Sequence, residues 1–303
     1  MAFFVGIDAG ASTTRAVLAS GEKASLATGR GARLDEALAP MVRAVGTAPC
    51  VVHCGLAGVS RPARRRAFER RVRELLPGAD LTVGSDVEAA LWGAFPDGIG
   101  VVVVAGTGSI ALARSADGSQ SRAGGYGWLL GDEGSAFWLG REACRAALLA
   151  TDGRGQPTVL SELLSAELDM RDAWQLPARV RSARRIASLA PLVSQAADTG
   201  DEVAIDLLSQ AGEILAHLAA AAVAPRRGPG GAALSAPPRA VARCGGVWVA
   251  GAILIDAFDA ALRRELPGAL AVWPAQAAEY GALRLALSHG TQHLHPPCQG
   301  DRG

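Results

Sequence analysis

The chain has 303 residues, of which 50% are hydrophobic and 19% are charged, and its formal net charge is +1. A chain of this size can bury a large core, and its length favours two domains over one. The small net charge excludes a binder of nucleic acid or acidic membrane that works through bulk electrostatics, so we expect a small-molecule partner.

Targeting signals and cysteine usage indicate a cytoplasmic protein. The opening residues, MAFFVGIDAG, lack the basic start and long apolar region of a signal peptide. No apolar run approaches the roughly 20 residues that a membrane span needs. The cysteines are odd in number and lack CxxC spacing, which favours reduced structural thiols over disulfides or a zinc site. They are Cys50, Cys54, Cys144, Cys244 and Cys298.

The first predicted element is a glycine-rich hairpin, written FFVGIDAGASTTRAVLAS. Phe3–Ile7 and Ala16–Ala19 are its predicted strands. Asp8 ends the first strand, where a carboxylate can hold Mg²⁺ through water. The turn offers hydroxyls and main-chain amides to phosphate oxygens, from Gly10, Ser12, Thr13 and Thr14. If the pattern occurred only once, a purely structural hairpin would be the alternative to a phosphate-binding turn.

A helix between two further strands completes an α/β pattern. Cys50–Leu56 and Leu81–Val83 are the predicted strands, and the intervening helix has its apolar residues at helical spacing. This order predicts a mixed sheet backed by helices. The arginine-rich stretch Arg61–Arg73 is interrupted by glutamates, so it is interpreted as a solvated helix face rather than a nucleic-acid site.

Asp86 is the carboxylate that this pattern singles out. The segment LTVGSDVEAALWGAF predicts a strand, a turn and a helix, which places Asp86 at a helix N-terminus on the rim of the sheet. Ser85 or Asp86 can simply cap the helix. A carboxylate near phosphate-binding turns can also accept the proton of an attacking hydroxyl, which is the role of a general base in phosphoryl transfer.

The hairpin pattern occurs a second time in GVVVVAGTGSIALARS. Its turn contains Gly106, Thr107 and Gly108, and a third glycine turn, CGGVW, contains Gly245 and Gly246. Each turn supplies amides suited to anions, so the repetition favours a nucleotide site over unrelated structural turns.

The segment AGGYGWLLGDEGSAFWLG crowds glycines around aromatic and acidic residues. Backbone can approach a ligand closely there while carboxylates accept hydrogen bonds from hydroxyls, which suits a sugar. The alternative is a structural turn in which Asp132 or Glu133 caps the helix that begins near Ser135.

The rest of the chain is predicted to be largely helical. Gly134–Val223 has a helical pattern, Ala224–Arg239 is rich in Pro, Gly and Ala and is predicted to be a flexible loop, and a strand, glycine turn and helix follow. Residues 276–290 form the last predicted helix. The His-rich residues 291–303 are predicted to be a flexible tail, with no metal site assigned to them.

In order along the chain, these motifs resemble N-acetylglucosamine kinases of the BadF/BadG ATPase group, in the superfamily of actin, hexokinase and heat-shock ATPases. The resemblance covers about residues 3–288 and rests chiefly on GDEGS, with GIDAGAST, GLAG, SDVEAAL, AGTGS and CGGVW. It implies an α/β fold of two actin-like (ribonuclease H-like) lobes, each a mixed sheet flanked by helices, with an interlobe cleft.

The implied N-terminal lobe is 1–97, completed by the helix 276–290, and the implied C-terminal, helix-rich lobe is 98–275. The resemblance also implies ATP and Mg²⁺ as cofactors, a sugar substrate phosphorylated at its 6-hydroxyl, lobe closure, and a homodimer that binds neither nucleic acid nor membrane.

Site residues follow from the resemblance position by position. Asp86 is the implied general base and sugar contact, and Asp8 the residue near magnesium. The implied ATP contacts are Gly10, Ser12, Thr13, Thr14, Gly106, Thr107, Gly108, Ala211, Gly245 and Gly246. The implied sugar contacts besides Asp86 are Ser109, Gly125, Tyr126, Gly127 and Asp132.

One departure from the family pattern bears on the substrate, and one property of the family group bears on the function. The family commonly has an Asn in a loop after its third strand that contacts the sugar, whereas this chain has ATGRGARLDEAL there, so the sugar is N-acetylglucosamine, glucosamine or another hexose. The same family group includes ATP-driven activators of partner enzymes that hold an iron–sulfur cluster. An activator, for which only Cys144 and Cys244 are loosely placed, and a non-catalytic sugar sensor are therefore the alternatives to an amino-sugar kinase.

Overall fold

The computed structural model divides the chain into two compact units. Unit 1 comprises Met1–Gly98 and Pro274–Gly303, and unit 2 comprises Ile99–Trp273. The structure describes residues 3–20, 23–224, 234, 236 and 238–294, with the backbone alone for 23–26 and 291–294. Most of the predicted loop 224–239 and the predicted tail beyond residue 294 lie outside the described residues.

Unit 1 is built on a mixed five-stranded sheet. Its strands are β1 (Phe3–Ala9), β2 (Thr14–Ser20), β3 (Lys23–Gly31), β4 (Cys50–Leu56) and β5 (Ala79–Gly84). The strand order is β3-β2-β1-β4-β5. The first three strands form an antiparallel meander, and β4 and β5 add in parallel to β1. The helices that follow in the chain are α1 (Leu34–Val45), α2 (Pro62–Leu75) and α3 (Asp86–Ala94).

Unit 2 repeats this plan on a second mixed sheet. Its strands are β6 (Gly100–Ala105), β7 (Ser109–Arg114), β8 (Gln120–Gly124), β9 (Ala240–Cys244) and β10 (Leu270–Val272). The order β10-β9-β6-β7-β8 is the order of unit 1 written from the other edge. Again the first three strands are antiparallel and the last two are parallel. The repetition of the predicted hairpin is therefore part of a repeated sheet.

The helices of unit 2 follow β8 and β9 in the chain. They are α4 (Ala136–Thr151), α5 (Leu160–Leu168), α6 (Leu176–Arg179), α7 (Ala183–Ala187), α8 (Ala190–Asp198), α9 (Glu202–Val223) and α10 (Ala252–Glu265). The chain then returns to unit 1 through α11 (Ala278–Leu294). The predicted fold class, two mixed sheets flanked by helices, is confirmed.

The two faces of the unit 1 sheet are covered by different helices. Alternate residues of β1, including Val5 and Ile7, point into one core with buried residues of α1 and α2. The opposite face carries Phe4 and Gly6 and packs against α11. A Cβ on Gly6 would overlap the carbonyl oxygen of Glu279, so the missing side chain allows α11 to lie directly on β1.

Helix α9 is the core helix of unit 2. Its buried face packs against α8, α10 and the sheet in the larger hydrophobic cluster. By length and composition it is the single described helix apolar enough to cross a membrane, with a mean hydropathy of 1.2. Because its buried residues belong to the core of unit 2, we interpret α9 as a helix of the protein interior.

Several local predictions needed correction. Strands β3, β8 and β10 were not predicted, and the ATGRG part of the expected loop is the end of β3. Ser135 itself caps α4 by accepting a hydrogen bond from the Trp138 amide at 3.2 Å, so neither Asp132 nor Glu133 is the cap. Ser85 caps α3 in the same way through the Glu88 amide, also at 3.2 Å.

Candidate functional site

The first hairpin places Asp8 opposite Arg15 on neighbouring strands. Asp8 is buried, and its carboxylate lies 3.7 Å from the Arg15 guanidinium. The turn that follows is closed by a hydrogen bond from the Gly10 amide to the Thr13 carbonyl at 3.1 Å. Gly10 does not have a positive φ. A Cβ there would instead lie 3.2 Å from the Thr13 oxygen, so the turn needs glycine for space.

The other residues predicted at this turn differ in exposure. Thr14 is buried as the first residue of β2, whereas Ser12 and Thr13 are half-buried in the turn itself. Ser12 and Thr13 are therefore better placed than Thr14 to meet a ligand.

Asp86 is the first residue of α3, immediately after the Ser85 cap. Gly55, at the end of β4, packs beneath it, since a Cβ on Gly55 would lie 3.2 Å from the Asp86 Cα. The Asp86 carboxylate accepts a hydrogen bond from the Val87 amide at 3.1 Å. Burial raises the pKa of Asp86, opposed by hydrogen bonds from backbone amides and by the Arg64 guanidinium.

Asp8 and Asp86 lie close enough to interact electrostatically. Burial and then the Asp86 carboxylate raise the pKa of Asp8 to about 7, with Arg15 opposing and Glu279 adding to the rise. Glu279, in the first turn of α11, was not predicted, because no motif surrounds it. Its Oε2 is buried without a hydrogen-bond partner in the described structure. Three carboxylates therefore converge at one end of the unit 1 sheet.

The second hairpin is tied to the start of α4. The Ala136 amide donates to the Gly106 carbonyl at 2.9 Å, and the Phe137 amide donates to the Thr107 carbonyl at 3.3 Å. The Gly106 amide itself closes the turn onto the Gly108 carbonyl at 2.9 Å. The carbonyls of Gly106 and Thr107 thereby accept the first amides of α4, which holds the hairpin turn against the start of this helix.

The predicted sugar residues Ser109 and Asp132 are in contact. The Ser109 amide donates to Asp132 Oδ1 at 3.2 Å, and the Ser109 hydroxyl donates to the Glu133 carbonyl at 2.7 Å. Burial raises the pKa of Asp132, opposed by the Ser109 amide, while Glu133 raises it further.

Tyr126 lies in an exposed glycine turn of unit 2. Gly125 and Gly127 have φ of 72° and 83°, and the Gly131 amide donates to the Gly127 carbonyl at 2.9 Å. Tyr126 is 68% exposed, so its ring is available to a ligand. The Gly125 amide donates to the Ser109 carbonyl at 3.0 Å, which links this turn to the second hairpin.

A cavity of about 380 Å³ opens beside the second hairpin, wholly within unit 2. Three predicted ATP residues, Gly106, Thr107 and Gly246, line it. Its other walls come from α4, from the segment that joins α7 to α8, and from the short 3₁₀ helix Gly246–Ala250, and include Ser188, Pro191 and Ser194. These wall residues were missed, since an amphipathic helical pattern carries no signal for a ligand.

Ala211 and Gly245 do not line the cavity. Ala211 has no exposed surface and packs in the core, where its carbonyl would lie 3.0 Å from a Cβ on Gly134. The structure therefore gives Ala211 a packing position rather than a ligand-facing one. Gly245 has φ of 99°, and a Cβ there would overlap the Ala105 carbonyl oxygen, so it allows β9 to turn tightly against β6.

The residues around the hairpins fit the chemistry of ATP and magnesium. The cavity is large enough for an adenosine-sized group and adjoins the hairpin amides. Among the described residues, no three His, Cys, Asp or Glu side chains are arranged to hold a metal ion alone. Mg²⁺ usually keeps several waters and needs one or two carboxylates plus phosphate oxygens, so the Asp8 carboxylate fits its chemistry.

The repeated sheet and the glycine hairpins define a protein of the actin-like ATPase class. The chain matches the BadF/BadG/BcrA/BcrD ATPase family over residues 5–232, and it belongs to that family.

Individual relatives are named as amino-sugar kinases. The chain is 35% identical over 167 residues to an N-acetylmuramic acid/N-acetylglucosamine kinase from Clostridium acetobutylicum, across 54% of this chain and 55% of that protein. It is 28% identical over 230 residues to glucosamine kinase GspK from Vibrio cholerae, across 69% and 76% of the two chains. The matched part thus spans about half the length of the first of these relatives.

A solved structure is similar along nearly the whole chain. It is the crystal structure of a candidate N-acetylglucosamine kinase from Chromobacterium violaceum, with 30% sequence identity and a TM-score of 0.75. The match covers 94% of this chain and 98% of that one. The similarity therefore includes both units and the helices that flank them.

Proposed function

We propose that this protein is an ATP-dependent amino-sugar kinase that phosphorylates N-acetylglucosamine or glucosamine at the 6-hydroxyl, with Asp86 as the general base. The observation that carries the proposal is the placement of Asp86 at the start of α3, half-buried and within electrostatic range of the buried carboxylate of Asp8. Membership of an ATPase family and relatives named as amino-sugar kinases support the same reaction class.

In the proposed reaction, the sugar 6-hydroxyl donates a hydrogen bond to the Asp86 carboxylate and transfers its proton there as the oxygen attacks the γ-phosphorus of ATP. The bond from the γ-phosphorus to the bridging oxygen breaks, and ADP leaves with its electron pair. The rise in the pKa of Asp86 on burial makes it a better proton acceptor than an exposed aspartate. Magnesium, when bound, neutralises charge on the phosphates. Asp8 is proposed to hold its water shell, and Gly106, Thr107 and Gly246 the nucleotide.

The sugar residues are proposed to act through hydrogen bonds. Asp132, which the Ser109 amide contacts, accepts hydrogen bonds from sugar hydroxyls, and Tyr126 presents an exposed ring to the sugar face. The backbone at Gly125 and Gly127 is proposed to contact the sugar as well. Cytoplasmic localisation and a homodimer belong to this proposal as well.

The described cysteines favour the kinase over an iron–sulfur activator. Cys144 and Cys244 are buried, and burial raises their pKa values to about 11 and about 12. A cluster at a subunit interface needs accessible thiolates, which these residues do not offer.

The experiment is a coupled assay of ADP release over a panel of hexoses, with the Asp86→Asn variant. We expect turnover with an amino sugar, and a fall in kcat of roughly 100-fold or more in the variant, because proton transfer to a positioned base contributes at least this factor. Asp80→Asn, an exposed aspartate on β5, is the matched control and should keep full turnover. Equal kcat values for wild type and Asp86→Asn would refute the assigned base.

A further inference from the structure

Two arginines stand directly opposite each other at the end of the unit 1 sheet. Arg30 on β3 is the register partner of Arg15 on β2, and Arg15 is in turn the partner of Asp8 on β1. Partners in antiparallel strands point to the same face with their Cβ atoms about 5 Å apart. The three side chains therefore form one row, with both arginines on the side of Asp8 that leads to the sheet edge.

This row lies at one end of the face that α11 packs on, where Asp8 is buried. The preceding rows, Phe4 with Ala19 and Gly6 with Val17, belong to that packed face. In contrast, Arg30 is exposed and the Arg15 side chain is 41% exposed. A ligand can therefore reach both guanidinium groups from solvent.

Neighbouring carboxylates do not balance this charge. Glu36 accepts hydrogen bonds from the Ala32 and Arg33 amides at 3.0 and 3.3 Å, and Asp35 accepts from Arg71 at 2.8 Å. Among the described residues, Arg30 forms no ion pair within 4.0 Å, and Arg15 has only the 3.7 Å contact with Asp8. Like charges placed directly opposite each other destabilise a sheet. The two arginines therefore lower the stability of this sheet, and a bound anion would offset their repulsion.

We propose that Arg30 and Arg15 form an oxyanion-binding pair in the active site, and that the oxyanion is a carboxylate carried by the amino sugar. Strand spacing places the Arg30 Cα about 10 Å from the Asp8 Cα, two strands away, so a guanidinium there can meet a substituent on a sugar whose hydroxyl is near Asp86. Arg30 is then a specificity-determining residue. The inference rests on the proposed function and adds amino sugars that carry a carboxylate to its substrates.

A phosphate oxygen of ATP is the other source of an oxyanion, and steady-state kinetics separates the two. The matched substrates are N-acetylglucosamine and N-acetylmuramic acid, which is the same sugar with a carboxylate-bearing ether. In Arg30→Gln we expect the KM for N-acetylmuramic acid to rise about 10-fold or more, since a charge-assisted hydrogen bond is lost. The KM values for N-acetylglucosamine and for ATP should not change, and Arg30→Lys should restore part of the loss.

Arg66→Gln is the control, because Arg66 is an exposed arginine on α2 of the same unit. A rise in the KM for ATP with both sugars would assign the oxyanion to phosphate and overturn the sugar carboxylate. If no KM changes, the proposed anion-binding pair is wrong, and Arg30 instead prevents other chains from pairing with the edge strand β3. A wild-type enzyme that neither binds nor phosphorylates N-acetylmuramic acid would also overturn it.

Binding measured by calorimetry without ATP distinguishes this inference from the proposed function. Tighter binding of N-acetylmuramic acid than of N-acetylglucosamine, lost in Arg30→Gln and weakened by salt, supports the pair even if no sugar is phosphorylated. Phosphorylation of N-acetylglucosamine without this preference supports the kinase alone.

Discussion

Asp132 accepts a hydrogen bond from the Ser109 amide at 3.2 Å while its own backbone is held in the left-handed region, with φ of 62°. Aspartate tolerates this region better than most residues, but such a conformation still costs roughly 1 kcal/mol or more. The second contact from Ser109, its hydroxyl to the Glu133 carbonyl at 2.7 Å, holds the same turn. The second hairpin therefore fixes the position of the Asp132 carboxylate.

Gly108 should be far less tolerant of a side chain than Gly106. A Cβ on Gly108 would lie 2.6 Å from Asp132 Oδ1, whereas a Cβ on Gly106 meets no atom within 4 Å. We expect Gly108→Ala to lower the free energy of unfolding by about 1–3 kcal/mol through overpacking, and Gly106→Ala to change it little. Urea unfolding of the two variants tests this, and equal losses would contradict the proposed contact with Asp132.

Asp8 should make the protein less stable as the pH rises. Its pKa is raised by burial to about 7 in the fold, above its value near 4 in the unfolded chain, so the folded state must ionise a buried carboxyl. Stability is therefore lost between pH 4 and pH 7, by about 4 kcal/mol at most. Asp8→Asn should be more stable than wild type at pH 8 but not at pH 4, measured by urea unfolding in EDTA. An equal difference at both pH values would show that Asp8 does not titrate in this way.

His53 should act in the opposite direction, in acid. It is buried on β4, its Nδ1 lies 2.9 Å from Thr82 Oγ1, and its Nε2 has no hydrogen-bond partner in the described structure. Burial, with a smaller contribution from His289, lowers the pKa of His53 to about 4. As the pH falls from 6.5 to 4, His53 binds a proton in the unfolded chain but not in the folded protein. The free energy of unfolding therefore falls by about 3 kcal/mol.

The variant that tests this is His53→Asn, which can keep the bond to Thr82 but does not titrate. Its free energy of unfolding should fall less than that of wild type between pH 7 and pH 4.5. Parallel pH curves for the two proteins would rule out a neutral, buried His53.

Gly281 should be essential for the packing of α11 against α3. A Cβ at this position would overlap the Ala89 carbonyl oxygen and the Gly93 amide nitrogen. We expect Gly281→Ala to lower the free energy of unfolding by about 3 kcal/mol or to prevent folding. The overlapping atoms belong to the backbone of α3, which cannot move aside as the end of a flexible side chain can. Ser288→Ala, at an exposed position on α11, is the control for thermal unfolding. A Gly281→Ala variant as stable as this control would contradict the close helix contact.

Much of the fold was predictable because its central strands carry strong local signals. Strands β1, β4 and β6 are largely apolar and have a glycine next to their last residue, and Ser85 before Asp86 marks the start of α3. The missed strands lack such signals. Strand β10 has three residues and β3 is rich in small residues, and both are edge strands that gain their structure from one neighbour.

The amino-acid sequence alone determined where the glycine turns and the carboxylates Asp8, Asp86 and Asp132 fall along the chain, since turn chemistry and strand ends are local properties. Tertiary structure decided which groups meet. Glu279 reaches Asp8 from nearly the other end of the chain, Arg30 faces Arg15 through strand register, and α7 and α8 enclose the cavity beside Thr107. These contacts join residues that are distant in sequence and depend on strand register and helix packing, so no local pattern specifies them.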